Sequence, residues 1–218
     1  LRTLAIESAT AGCSVALFDD AAQDAIPIAA DFAVIGRGHA ERLVPMIAAL
    51  PGRGQADRIL VSLGPGSFTG VRIGLAAARA LGLAWHVPVL GYPTLALVAA
   101  IARLDDPGAK VTVCMTGGHG EWFVQDFAAD GMPEGPLASL TPAGAAAHPA
   151  HNLIAGSMAG DLAAGRTGYR ALDLLPDARH ALALSPALLT PYLAPLYGRA
   201  PDARLPSSIP GPFPAGAA

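Results

Sequence analysis

Between Ser62 and His86 the chain reads SLGPGSFTGVRIGLAAARALGLAWH, and this stretch constrains the fold more than any other. A β-branched run, Ile59–Leu63, leads in. Three glycines and a proline punctuate its turn, Gly64–Gly70, and a long apolar helix leaves it. Strand, glycine-rich turn and helix, in that order, is how many folds aim backbone N–H groups at a phosphate. The same order also serves a turn that only redirects the chain. The motif has no Gly-Lys-Ser/Thr ending, so it is not a Walker loop, and it lacks G-x-G-x-x-G. Ser67 is flanked at two residues' distance by Pro65 and Thr69, not by the glycines of a nucleophile elbow. Ser67 or Thr69 is therefore expected to cap the helix.

That helix is expected over Val71–His86. At 100° per residue, Arg72, Arg79 and His86 fall on one line, and Gly74, Ala78 and Gly82 form a small-residue stripe opposite. Leu75, Ala76 and Leu83 flank the arginines, so even the outward face is largely apolar. Either the helix is buried within the chain, or a partner covers it and uses the arginines as anchors.

The remaining pattern supports an α/β fold. Thr3–Ser8, Cys13–Asp19 and Ile26–Val34 alternate as an antiparallel meander. A helix starts near His39 with Leu43, Met46, Ile47 and Leu50 on one face; Pro45 is expected to kink it or delay its start. PGRG (Pro51–Gly54) ends it. Arg58–Leu63 and Pro88–Gly91 are further strands, and Thr94 is expected to cap a helix reaching Leu104. The first hundred residues thus read βββ-αβαβα. After the turn-rich DDPGAK (Asp105–Lys110) come strands at Val111–Met115, Trp122–Phe127, Pro136–Leu140 and Asn152–Ala155, a shorter and looser version of the first half. Three segments follow: a first domain over 1–104, a smaller second domain over 105–200, and a Pro/Gly/Ala-rich tail over 201–218 expected to be disordered.

Of the 218 residues, 52% are hydrophobic and 14% charged, with a net charge of -3, which argues against strong direct binding of nucleic acid. Cys13 and Cys114 are not a C-x-x-C pair and are expected as buried free thiols of a reducing cytosol. No secretory leader and no membrane span is read, so the expected location is cytoplasmic. The six histidines form neither HExxH nor HxxxH, and HPAH (His148–His151) has no carboxylate near it in sequence, so no metal site is expected. Glu7 could orient a metal-bound nucleotide or simply cap the turn ESATAGCS. MTGGHGE (Met115–Glu121) could form a second phosphate loop, but Glu7 and Glu121 are the only acids between the loops, too few for a kinase-like site.

Four runs, LAIESATAGCSVALFD (Leu4–Asp19), GHAERLVPMI (Gly38–Ile47), GPGSFTGVRIGLAAARALG (Gly64–Gly82) and VPVLGYPTLALVA (Val87–Ala99), strongly resemble the TsaB (YeaZ) family. Beyond residue 100 the resemblance thins to GEWF (Gly120–Phe123) and PLYGR (Pro195–Arg199). It implies an actin-like (ASKHA) ATPase fold of two RNase H-like halves with mixed sheets, the second half smaller and degenerate. It also implies a non-catalytic subunit, possessing no catalytic residues. This subunit supports TsaD as TsaD transfers a threonylcarbamoyl group to N6 of adenosine 37 in tRNAs reading ANN codons. The ATPase TsaE joins that pair, and tRNA is met only through the complex. No cofactor is implied in this chain; ATP and a metal ion are expected in partner subunits. The implied partner surface, which can also form a homodimer, maps to Leu43, Met46, Ile47, Leu50, Arg72, Leu75, Ala76, Arg79 and Leu83. The vestigial phosphate loops map to Glu7, Ser8, Gly64, Gly66, Ser67, Thr69, Gly117 and Gly118. Glu7-Ser8-Ala9 stands where the family commonly has Asp-Thr-Ser, and Thr116-Gly117-Gly118 where it often has Asp-Ala-Arg. A glycoprotease-type metallopeptidase and a small-molecule kinase of the same fold are the alternatives.

Overall fold

A computed structural model describes residues 1–19 and 26–198. The expected tail over 201–218 and Arg199 of the PLYGR run lie outside the described residues. The first sheet is built from β1 (Arg2–Glu7), β2 (Gly12–Asp19), β3 (Ala29–Val34), β4 (Arg58–Ser62) and β5 (Val89–Tyr92), in the order β3-β2-β1-β4-β5. The first three strands pair antiparallel, as their alternation predicts, and β4 and β5 add in parallel. Between them run α1 (His39–Ala49), α2 (Phe68–Trp85) and, after β5, α3 (Thr94–Ala102).

The second sheet has β6 (Val111–Thr116), β7 (Trp122–Phe127), β8 (Ala138–Leu140), β9 (Leu153–Ala155) and β10 (Arg170–Leu172), with the short helices α4 (Pro142–Ala147) and α5 (Ala159–Ala163). Its order, β10-β9-β6-β7-β8, is the first sheet's order read from the other edge. The molecule is therefore a doubled βββ-αβαβ unit, the pair of RNase H-like halves that the resemblance implies. β10 and α5 escaped the sequence reading because elements this short carry less than two turns of periodicity.

Period-2 alternation sorts the first sheet's residues between two cores. Leu4, Ile6, Val15, Leu17, Ile59 and Val61 pack with α1 and α2. Ala5, Ala16, Phe18, Leu60 and Tyr92 belong to a second cluster that also holds Val111, Val113 and Phe127 of the other sheet. α3 lies in that shared cluster. Its sequence TLALVAAIA has no charge, and every residue from Thr94 to Ala100 is buried, as a helix apolar on all sides requires. The other face of the second sheet is covered by α4 and α5 around Cys114, Val124 and Ile154.

Several boundaries differ from expectation for local reasons. α2 begins at Phe68, three residues early, because Ser67 caps it: Gly70 N–H donates to Ser67 Oγ at 3.2 Å. Thr94 is not a cap but the first residue of α3, where its N–H donates to Gly64 O at 2.8 Å. α1 is one helix through Pro45. The proline sits on the exposed side, where water can reach the Glu41 carbonyl that loses its helical donor. From Ala178 the chain leaves the second half: Ala178 N–H donates to Ser14 Oγ (2.9 Å), and Thr190 forms an antiparallel bridge with Gly91 of β5. The end of the expected 105–200 domain thus packs on the first sheet.

Candidate functional site

The glycine-rich turn presses against the β1–β2 turn. A side chain at Gly66 would run into the Ala9 carbonyl, and one at Gly70 into the Ser8 carbonyl. Hydrogen bonds lock the approach. Ser67 N–H donates to Ala9 O at 2.6 Å, and Ser8 Oγ donates to Gly70 O at 2.9 Å. Two amides that a phosphate would need, those of Ser67 and Gly70, are thereby spent on the protein's own oxygens. Thr69 is exposed on the first turn of α2, and Gly64 lies buried behind the turn.

Glu7 is fully buried. Its Oε1 accepts the Ala9 N–H at 2.7 Å, and its Oε2 has no partner. Burial pushes the carboxyl up to about 7 against the opposing pull of the Ala9 N–H. Of its two sequence-level roles, capping the turn is the one the geometry displays. In the second half Gly117 N–H donates to Glu121 O (2.8 Å) and Glu121 N–H to Gly118 O (3.1 Å), so MTGGHGE closes as a hairpin turn.

A cleft of about 820 Å³ separates the two turns. Gly66, Ser67, Gly117 and Gly118 line it; Glu7, Ser8, Gly64 and Thr69 do not. Its walls are mainly apolar, with Phe68, Val71, Met115, Phe123 and Leu196 among them. Glu121 is its one carboxylate among the described residues, and Ser139 Oγ donates to it at 2.6 Å. Arg72 is engaged too: its guanidinium lies 3.5 Å from the Phe68 ring centre and donates to Tyr197 Oη at 2.9 Å. The one lysine in the sequence, Lys110, lies elsewhere and pairs with Glu134 at 2.6 Å.

The expected partner surface divides. Leu43, Met46, Ile47, Leu50 and Leu75 are buried in the chain's own core, a correction: the 3-4 spacing of the α1 stripe marks the face laid on the first sheet. Arg72, Ala76, Arg79 and Leu83 do face outward, with Leu83 76% exposed and Val44 of α1 59% exposed. The two arginines, however, hold the chain's own C-terminal strap, residues 190–198. Arg79 donates to Leu193 O at 2.7 Å and Arg72 to Tyr197. Sequence reading missed this strap. Its signal was the Leu and Tyr residues spaced between Pro191 and Pro195.

The histidines of HPAH do meet carboxylates, against expectation: His148 Nε2 lies 3.0 Å from Asp126 Oδ2, and His151 Nε2 lies 2.6 Å from Glu134 Oε2. The chain folds β7 and the following turn onto this loop, which local sequence could not reveal. His39 is buried against Gly12 O at 3.3 Å. Among the described residues no three His, Cys, Asp or Glu side chains gather as a metal cluster. Cys13 and Cys114 are free and buried, and burial pushes their thiols up to about 11 and about 12.

A family profile described as "TsaD: tRNA N6-adenosine threonylcarbamoyltransferase" matches residues 33–131. The Escherichia coli protein described as "tRNA threonylcarbamoyladenosine biosynthesis protein TsaB" is 33% identical over 135 residues, 60% of this chain. The chain spans about half the length of the curated relatives it matches, 56% in that case. Among solved structures, YeaZ from Pseudomonas aeruginosa is 30% identical with a TM-score of 0.71, over 84% of this chain and 89% of that one. A further crystal structure, of a protein with similarity to peptidase YEAZ from Pseudomonas aeruginosa, is 29% identical with a TM-score of 0.73, over 91% and 99%.

Proposed function

The chain belongs to the TsaB/YeaZ family, and on that premise we propose that it serves threonylcarbamoyladenosine biosynthesis on tRNA as a non-catalytic subunit that binds and supports TsaD. The observation that carries this reading is the state of the two glycine turns. The amides of Ser67, Gly70, Gly117 and Glu121 bond to the protein's own oxygens, the adjoining Glu7 is buried as a cap, and the chain's one lysine is remote from the cleft. Phosphoryl chemistry in such a cleft depends on carboxylates to hold a metal ion and on donors aimed at the phosphates, and these residues are committed to packing. ATP and a metal ion belong, on this reading, to the partner subunits.

The surface proposed for TsaD is the exposed side of α2, Ala76 and Leu83 with Arg72 and Arg79 beside them, extended by Val44 of α1. The same apolar strip would serve a homodimer when TsaD is absent, and TsaE would join the heterodimer. Among the described residues no helix is long and apolar enough to cross a membrane; a tRNA-modifying assembly places the chain in the cytoplasm. Co-purification with TsaD tests the surface. Ala76→Asp with Leu83→Asp is expected to abolish the pairing while leaving the circular dichroism spectrum unchanged, since both side chains are exposed. A doubly substituted chain that still brings down TsaD would remove α2 as the contact.

A further inference from the structure

We propose that the cleft between the two halves binds an apolar molecule carrying a single cationic amine. This inference goes beyond the TsaD reading and does not rest on it. Strand register sets one negative charge beside an apolar surface. Phe123 of β7 pairs with Ser139 of β8, and both border the cleft. Glu121, two residues before Phe123, borders it from the same face of the sheet, about 7 Å along the chain. Trp122, between them, turns to the opposite face and packs in the cluster around Cys114. The Glu121 side chain is only partly buried, so its carboxylate is reachable from the cleft. Ser139 Oγ donates to its Oε2 at 2.6 Å, which fixes the carboxylate and leaves Oε1 as an acceptor. Phe68, Leu196 and Tyr197 are exposed apolar side chains on the cleft's border.

Charge then selects the occupant. The arginine bordering the cleft, Arg72, is stacked on Phe68 and bonded to Tyr197. An anion would meet the Glu121 carboxylate and glycine turns whose amides are already spent. A neutral apolar occupant would strip water from Glu121 and leave a desolvated charge without a partner, which is costly. An ammonium on an apolar body removes that cost. It donates a charge-assisted hydrogen bond to Glu121 while the body covers the apolar wall. The Phe68 and Tyr197 rings, with centres 6.0 Å apart, favour an aromatic body. At about 820 Å³ the cleft is within the range of small-molecule sites, and its mainly apolar walls with a few polar groups are the usual make-up of one.

The test is a titration of the isotope-labelled full chain, followed by NMR, with 2-phenylethylamine. The neutral 2-phenylethanol and the anionic 3-phenylpropionate and ADP serve as comparison probes. Saturable shifts are expected with the amine at the Phe68, Phe123 and Ser139 amides, the alcohol binding about tenfold more weakly and the anions more weakly still. Glu121→Gln keeps an acceptor for Ser139. It should weaken the amine about tenfold and leave the alcohol within about twofold, a split that a merely structural role would not produce. Phe68→Ala, at an exposed position, should weaken amine and alcohol alike and keeps the test open if the Glu121 variant fails to fold. The proposal is overturned if the amine gives no saturable shifts, or if either anion binds as tightly as the amine. It is also overturned if Glu121→Gln or Phe68→Ala binds the amine unchanged. Loss of TsaD pairing in the co-purification leaves all of these outcomes readable on the chain alone.

Discussion

Glu7 shows what a single buried group does to a pH profile. An exposed or unfolded carboxyl ionises near 4.5, while the folded one holds its proton until about 7. The unfolded state therefore releases the proton first, and stability falls as pH rises through that window, then levels off above it. The loss is about 3 kcal/mol from this group. Glu7→Gln keeps an acceptor for the Ala9 N–H and has no proton to lose. Urea unfolding across the window should show the variant gaining on the parent by about that amount, and parallel curves would refute the assignment. Gly70 makes the companion case. An alanine there drives its Cβ into the Ser8 carbonyl and should cost about 1–3 kcal/mol. Gly118→Ala, with nothing within 4 Å of the new atom, should be neutral. Equal effects at the two sites would mean that the first turn is not packed as described.

Among elements, α1 is the clearest lesson. Its apolar stripe is legible at 3-4 spacing, and its start at His39 and end before PGRG are where the residues place them. What periodicity cannot tell is whether a stripe meets the chain's own sheet or another protein, and here Leu43, Met46 and Ile47 meet the sheet. Pro45 breaks the helical ladder without kinking it out of register, so Pro45→Ala should restore a donor and raise stability by about 1–3 kcal/mol in thermal unfolding. A lower melting temperature would show that the proline is needed where it stands. Four of the five strands of the first half were readable because each runs five or more residues; β5, with four, was marked by the proline and glycine around it. The second half was read less well: β8, β9 and β10 have three residues each, and the His148 and His151 contacts depend on strand pairing rather than neighbours in sequence. At the glycine turn, Ser67 caps α2, as one of the two residues expected there. The bonds of the outward arginines of α2 were not legible, because their acceptors lie more than a hundred residues away.

At the scale of the molecule, two similar units share one buried helix. α3 follows the first sheet in sequence but lies in the core cluster that contains residues of both sheets. The second half without it would expose Val111, Val113 and Phe127. A fragment over residues 105–198 is thus expected to give no cooperative unfolding transition, whereas a fragment that unfolds sharply would show that the second sheet completes its own core. The strap adds a mechanical consequence. Thr190 is zipped to Gly91 by a pair of backbone bonds, and Leu196 N–H donates to Leu63 O at 2.7 Å. Tension applied to the chain beyond Gly198 is therefore borne first by the first half, through Arg72 and Arg79 of α2, Leu63 at the end of β4, and β5, and the second sheet, though nearer in sequence, is shielded until those bonds part.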